Sequence, residues 1–141
     1  MTSQLNVDTI VDKAGTGGAT LSKPTITEMA NTSTYVSDGG NVTQNVVQGL
    51  AKSWCNTNQS GTGIYDSFNI ASLTDSGTGQ QQPFFTNSMS NFRYAVELNV
   101  TSNINQTWCQ NVATSSYVSK SYTGSAFEDR EHLTTVHGDL A

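Results

Sequence analysis

Charge is what this sequence has least of. Only 12% of its 141 residues are charged, about half the usual quarter. The six basic residues, Lys13, Lys23, Lys52, Arg93, Lys120 and Arg130, never stand side by side, and the net charge is -5. Phosphate recognition needs clustered cations, so nucleic acid is excluded as the main partner. No apolar run approaches the roughly 20 residues of a helical membrane span, so no membrane insertion is expected. The opening "MTSQLNVD" lacks a basic patch followed by an apolar core, and the expectation is a chain made in a cytoplasm and soluble there.

Catalytic signatures are missing too. There is no G-x-S-x-G, no Cys-His arrangement with an orienting group, and no carboxylate pair of glycosidase type. Gly15-Thr16-Gly17-Gly18 lacks the Lys-Ser/Thr ending of a phosphate loop, and Lys23 precedes Pro24. The expectation is a protein that is not an enzyme and needs no cofactor. His132 and His137 lie five apart, so on a strand they face opposite sides and cannot share a metal. With Glu128, Asp129, Glu131 and Asp139 around them, they read as a solvated polar terminus. Cysteine is limited to Cys55 and Cys109, each preceded by tryptophan in "SWCN" and "TWCQ". A reducing compartment makes these two buried apolar residues rather than a disulfide.

What fills the gap is Ser, Thr, Asn, Gln and Gly, which favour strands and turns over helix interiors. The chain divides into three regions. Residues 1–23 form an extended arm, in which "QLNVDTIVD" has strand periodicity and Gly15, Gly17 and Gly18 make a flexible hinge. Residues 24–50 are a linker with a turn at Asp38-Gly39-Gly40-Asn41. After it Val42, Val46 and Leu50 recur every four residues, as one stripe on a short helix would. Such a helix is marginal alone, and further copies of itself would complete it.

Residues 51–141 read as six or seven short strands. "FRYAVELNV" alternates cleanly, with Phe92, Tyr94, Val96, Leu98 and Val100 on one face. "DSFNIASL" puts Phe68 and Ile70 on one face, then slips phase to Leu73, as a bulge requires. "TDSGTGQ" is a hairpin turn, and Pro83 confines "QQPFFTN" to an edge or a strand start. The fold class is mainly β: a small antiparallel β-sandwich, jelly-roll or immunoglobulin-like, behind an arm and a short helical segment. Tyr65, Tyr94, Tyr117 and Tyr122 are candidates to line a sugar-binding face, or are half-buried strand tyrosines.

Two stretches carry a family resemblance. "LNVDTIVDKAGTG" resembles the N-terminal motif of tail-fibre-like virion appendage proteins of tailed phages infecting cyanobacteria and marine bacteria. "GLAKSWCNTNQSGTGIYDSFNIASLTDSGTGQQQPFFTNSMSNFRYAV" is similar to their globular domain. The resemblance implies a homotrimeric virion structural protein, assembled in the host cytoplasm and released by lysis. The Val42/Val46/Leu50 stripe gives that trimer a physical reason. Leu5, Val7, Ile10 and Val11 would dock on a tail or baseplate component by extended-strand contacts, and the head would meet a host-surface polysaccharide. Alternatives are a capsid decoration protein clasping the major capsid protein, and a carbohydrate-binding or depolymerising protein.

Overall fold

A computed structural model describes residues 25–30, 32–36, 43–60, 62–101 and 106–141. The chain is mainly β, as its composition requires. Strands β1 (Thr34–Val36) and β2 (Thr43–Asn45) pair antiparallel, with Val36 opposite Thr43. They flank the expected turn, which lies outside the described residues. The short helix is a correction. Helix α1 spans only Val46–Gly49, because Asn45 caps it through Gln48 N at 2.9 Å and Leu50 is already extended. One turn cannot present a stripe: Val46 is half-buried, Leu50 is exposed, and Val42 lies outside the described residues. Buried Lys52 ties the helix to the start of the next strand, its ammonium donating to Val47 O and to Leu50 O at 2.8 Å. Cations suit helix C-termini because the last carbonyls there lack partners.

Eight further strands make two four-stranded antiparallel sheets. They are β3 (Ser53–Thr57), β4 (Ile64–Phe68), β5 (Ile70–Gly77), β6 (Gln80–Phe85), β7 (Ala95–Val100), β8 (Gln106–Ala113), β9 (Ser116–Tyr122) and β10 (His132–His137). The orders are β4-β3-β10-β7 and β5-β6-β9-β8. "DSFNIASL" is two strands rather than one, and the chain changes sheets at Asn69. That residue takes φ +58, tolerable for Asn, and its amide bonds Lys52 O, Asn87 O and Asn87 N at 2.7–3.1 Å. The phase slip falls between Ile70 and Ser72, where the β5–β6 register shifts. The hairpin turn stands where expected, with Gly77 and Gly79 at positive φ.

Pro83 is another correction, since β6 is an interior strand. Proline is tolerated there because the β6–β9 register passes from Gln81↔Ser119 to Phe84↔Ser116, leaving Gln82 and Pro83 unpaired on that side. In β7 the alternation holds from Val96 to Val100, but Phe92 precedes the strand and is exposed.

The two sheets stack face to face, and their shared interior has two unlike ends. Phe85, Met89, Tyr117 and Val136 form an apolar cluster, with Ile70, Tyr94, Val96, Cys109 and Val112 around it. Phe85 meets Tyr94 edge-on and Tyr117 tilted, both at 5.7 Å between ring centroids. Toward the other end the interior is polar, built on Thr57, Gln81, Ser119, Ser121 and His132. Both cysteines are free thiols, Cys55 on the first sheet and Cys109 on the second.

Candidate functional site

Strand alternation sends every second side chain of the first sheet outward. From β3 these are Trp54 and Asn56; from β10, Leu133, Thr135 and His137; from β7, Glu97 and Asn99; from β4, Asp66 and Phe68. Register assembles them into rows. Phe68, Trp54, Thr135 and Glu97 make one row across the four strands, and Asp66, Asn56, Leu133 and Asn99 make the next. Trp54 and Leu133 remain 37% exposed and Phe68 53%. A shallow groove of about 400 Å³ runs over Trp54, Asn56, Glu97, Asn99, Leu133 and Thr135. Apolar faces flanked by amides, a hydroxyl and carboxylates suit a ligand that is itself apolar on one side and rich in hydroxyls at its rim. Beneath this face Asn56 Oδ1 is enclosed and, among the described residues, accepts no hydrogen bond. Leaving a buried acceptor unmet costs about 1–3 kcal/mol.

The second sheet has an aromatic outer face that is already occupied. Trp108, Tyr122 and Phe127 pack on one another at centroid separations of 5.4–6.4 Å, and the Lys120 ammonium sits 5.2 Å over Phe127. The segment after β9 folds back to supply Phe127, bridging Tyr122. Gly79 makes room for it: at φ +66, a Cβ there would stand 2.7 Å from both Glu128 N and Ser121 O.

The tyrosines therefore separate. Tyr65 alternates with Asp66, so it points off the groove face; at the sheet edge it is 63% exposed and donates to Glu131 at 3.4 Å. Tyr117 is a correction. It is 0% exposed and bonds Thr134 Oγ1 at 2.5 Å in the interior, so no ligand reaches it. Tyr122 is engaged by Trp108 and Phe127. Leu5, Val7, Ile10, Val11, Gly15, Gly17 and Gly18 lie outside the described residues. Sequence reasoning passed over Trp54 and Phe68, although alternation against an inward Cys55 was a usable signal for Trp54.

His132 is a further correction. It is 1% exposed and sits between the sheets, not in a solvated terminus. Ser119 Oγ lies 2.7 Å from Nδ1 and Ser121 Oγ 3.1 Å from Nε2. The Ser121 hydroxyl donates to Glu128 O at 2.6 Å, so it accepts from Nε2–H. Burial favours the neutral ring, so Nδ1 accepts from the Ser119 hydroxyl, whose Oγ also lies 3.2 Å from Gln81 O. Burial pushes the His132 pKa down to about 4, and nearby Asp129 opposes the fall only in part. Thr57 hydroxyl bonds Gln81, whose amide donates to Asn58 O and Arg130 O at 3.0 and 2.9 Å. A serine beside a histidine has the outline of a nucleophile and its base. This pair is sealed between two sheets, and its bonds join them. Among the described residues no group of three His, Cys, Asp or Glu is placed to hold a metal ion.

Comparison with known protein families, with curated proteins and with solved structures finds nothing that matches this chain.

Proposed function

We propose that this chain is a structural protein of a tailed-phage virion, a short trimeric tail fibre whose β-sandwich head attaches to a host-surface glycan through the outer face of the first sheet. The observation that carries the reading is that face, where Trp54, Phe68 and Leu133 lie open among Asn56, Asp66, Glu97, Asn99 and Thr135. Aromatic and aliphatic side chains cover the apolar face of a pyranose, while the polar residues beside them exchange hydrogen bonds with its hydroxyls. The virion setting draws on the resemblance of "LNVDTIVDKAGTG" and of residues 49–96 to fibre-like proteins. Residues 5–14 dock on another virion protein, and three heads on one fibre raise weak sites to useful avidity.

The test has two halves. Purified protein is passed over host-surface polysaccharide, and Trp54→Ala is expected to lower retention at least tenfold, as loss of a central aromatic anchor does. Deletion of residues 1–18 is expected to leave the head folded and abolish incorporation into particles. Retention that ignores Trp54, or particles that still carry the truncated chain, would each remove half of the proposal.

A further inference from the structure

The geometry points to a charge filter on the open face: it takes neutral or amino-bearing saccharides and refuses acidic ones. This deepens the glycan reading above and rests on it. Asp66 and Glu97 stand on the two flanking strands, β4 and β7, at opposite ends of the adjoining rows. None of the four strands of this sheet carries a Lys or Arg. His137 is the one other titratable side chain directed outward from them, at the end of the face opposite Ala95.

Three of the described cations are engaged elsewhere: Lys52 is turned to the α1 carbonyls, Lys120 lies over Phe127 on the other sheet, and Arg130 pairs with Glu128. The fourth, Arg93, lies just before β7, 5.8 Å from the Phe92 ring centroid. Beyond the groove, Glu131 meets Tyr65 at the β4 edge and adds a third carboxylate on that side.

This arrangement has two physical consequences. A carboxylate- or sulfate-bearing sugar would meet Glu97 in the groove and Asp66 at the far edge of the face, with no Lys or Arg on the four strands to pair with it, and low-dielectric protein beneath strengthens that repulsion. The two carboxylates of the face, Asp66 and Glu97, are also acceptors only, whereas the Asn56 and Asn99 amides and the Thr135 hydroxyl can donate as well. Next to those two carboxylates the fitting ligand presents donors, which hydroxyls and ammonium groups supply and a carboxylate or sulfate group does not. Three strand intervals give the face roughly 14 Å of width at 4.7–4.9 Å each, room for a short run of sugar rings laid across the strands.

The experiment uses the full chain and trisaccharides matched in length and stereochemistry, each in neutral, amino-bearing and carboxylate-bearing versions, on gluco, galacto and manno backbones. Binding is measured at low salt for the wild type, for Trp54→Ala, and for the Asp66→Asn/Glu97→Gln pair, with thermal melts confirming that each variant folds. The wild type is expected to hold neutral or amino members at least tenfold more tightly than their acidic counterparts. The gap should close to about threefold or less in the charge-removed pair and shrink with added salt. Trp54-dependent binding that prefers acidic members would overturn the filter and leave the glycan site standing. Wild type that retains no member better than Trp54→Ala does, or a change of oligomeric mass in Trp54→Ala, would remove both.

Discussion

Strands β3 and β8 carry the same dipeptide, Trp54-Cys55 and Trp108-Cys109, on opposite sheets. In both, alternation turns the thiol inward and the indole outward. Yet Trp54 faces an open groove, whereas Trp108 is met by Tyr122 and Phe127. The difference lies in what passes over each sheet, since residues 123–131 return along the end of β9 and bring Phe127 with them. That return is held by Glu128 N to Ser121 O at 3.3 Å and Gly79 N to Asp129 Oδ1 at 2.6 Å. A local sequence can thus fix the direction of a side chain while a distant segment decides whether it serves packing or recognition.

The largest test of that contrast is to delete each indole in turn. Trp108→Ala removes the centre of a three-ring cluster and should cost about 3 kcal/mol of stability. Trp54→Ala removes a ring that the fold leaves partly wet and should cost less than about 1 kcal/mol. Urea denaturation of the two variants measures both directly. Equal costs would show that the open face is packed as tightly as the closed one, and the case for a binding surface there would lapse.

The interior repeats the contrast along another axis, with rings at one end and hydroxyls, an amide and an imidazole at the other. Neutral His132 makes the polar end depend on pH. Unfolding returns the ring to its ordinary value of 6.5, against about 4 in the fold. Between those values the unfolded chain binds a proton that the folded chain does not. The contribution is therefore complete above about pH 6.5 and is lost as pH falls toward 4, by about 3 kcal/mol at most. Denaturation across that window should show the loss, and His132→Gln should flatten it. A wild-type profile as flat as the variant's would mean that the imidazole is wet and the polar end open.

Much of this fold can be read from alternation. "FRYAVELNV" and "HLTTVH" are legible as strands, and "TDSGTGQ" as a turn, because period-two patterns and positive-φ residues are local properties. What alternation cannot say is which face is wet. In "SYVSKSY" Ser119 and Ser121 turn inward while Val118 and Lys120 turn outward, which a simple hydropathy rule does not foresee. Ser119 and Ser121 are stable inside because His132, on a strand more than ten residues later, completes their hydrogen bonds. Pro83 misleads for a similar reason: it argues against a central strand until the gap in the β6–β9 ladder is known. Alternation gives the direction of Trp54 but not its exposure, which depends on no described segment crossing that sheet.

The smallest difference expected between the two matched strands is at their cysteines. Burial pushes both thiols up to about 11, which leaves about one part in a thousand as thiolate at pH 8. Both lie near Tyr117, the ring buried between the sheets. A disulfide reagent should therefore label neither in the native protein, and both together as the chain unfolds. Cys109 is the less buried of the two, so it is the one to watch. Labelling of Cys109 well ahead of Cys55 would mean that β8 opens while β3 stays shut. The sheet with the covered outer face would then be the looser one, and cover by residues 123–131 would have to be judged a patch over a mobile edge rather than a source of rigidity.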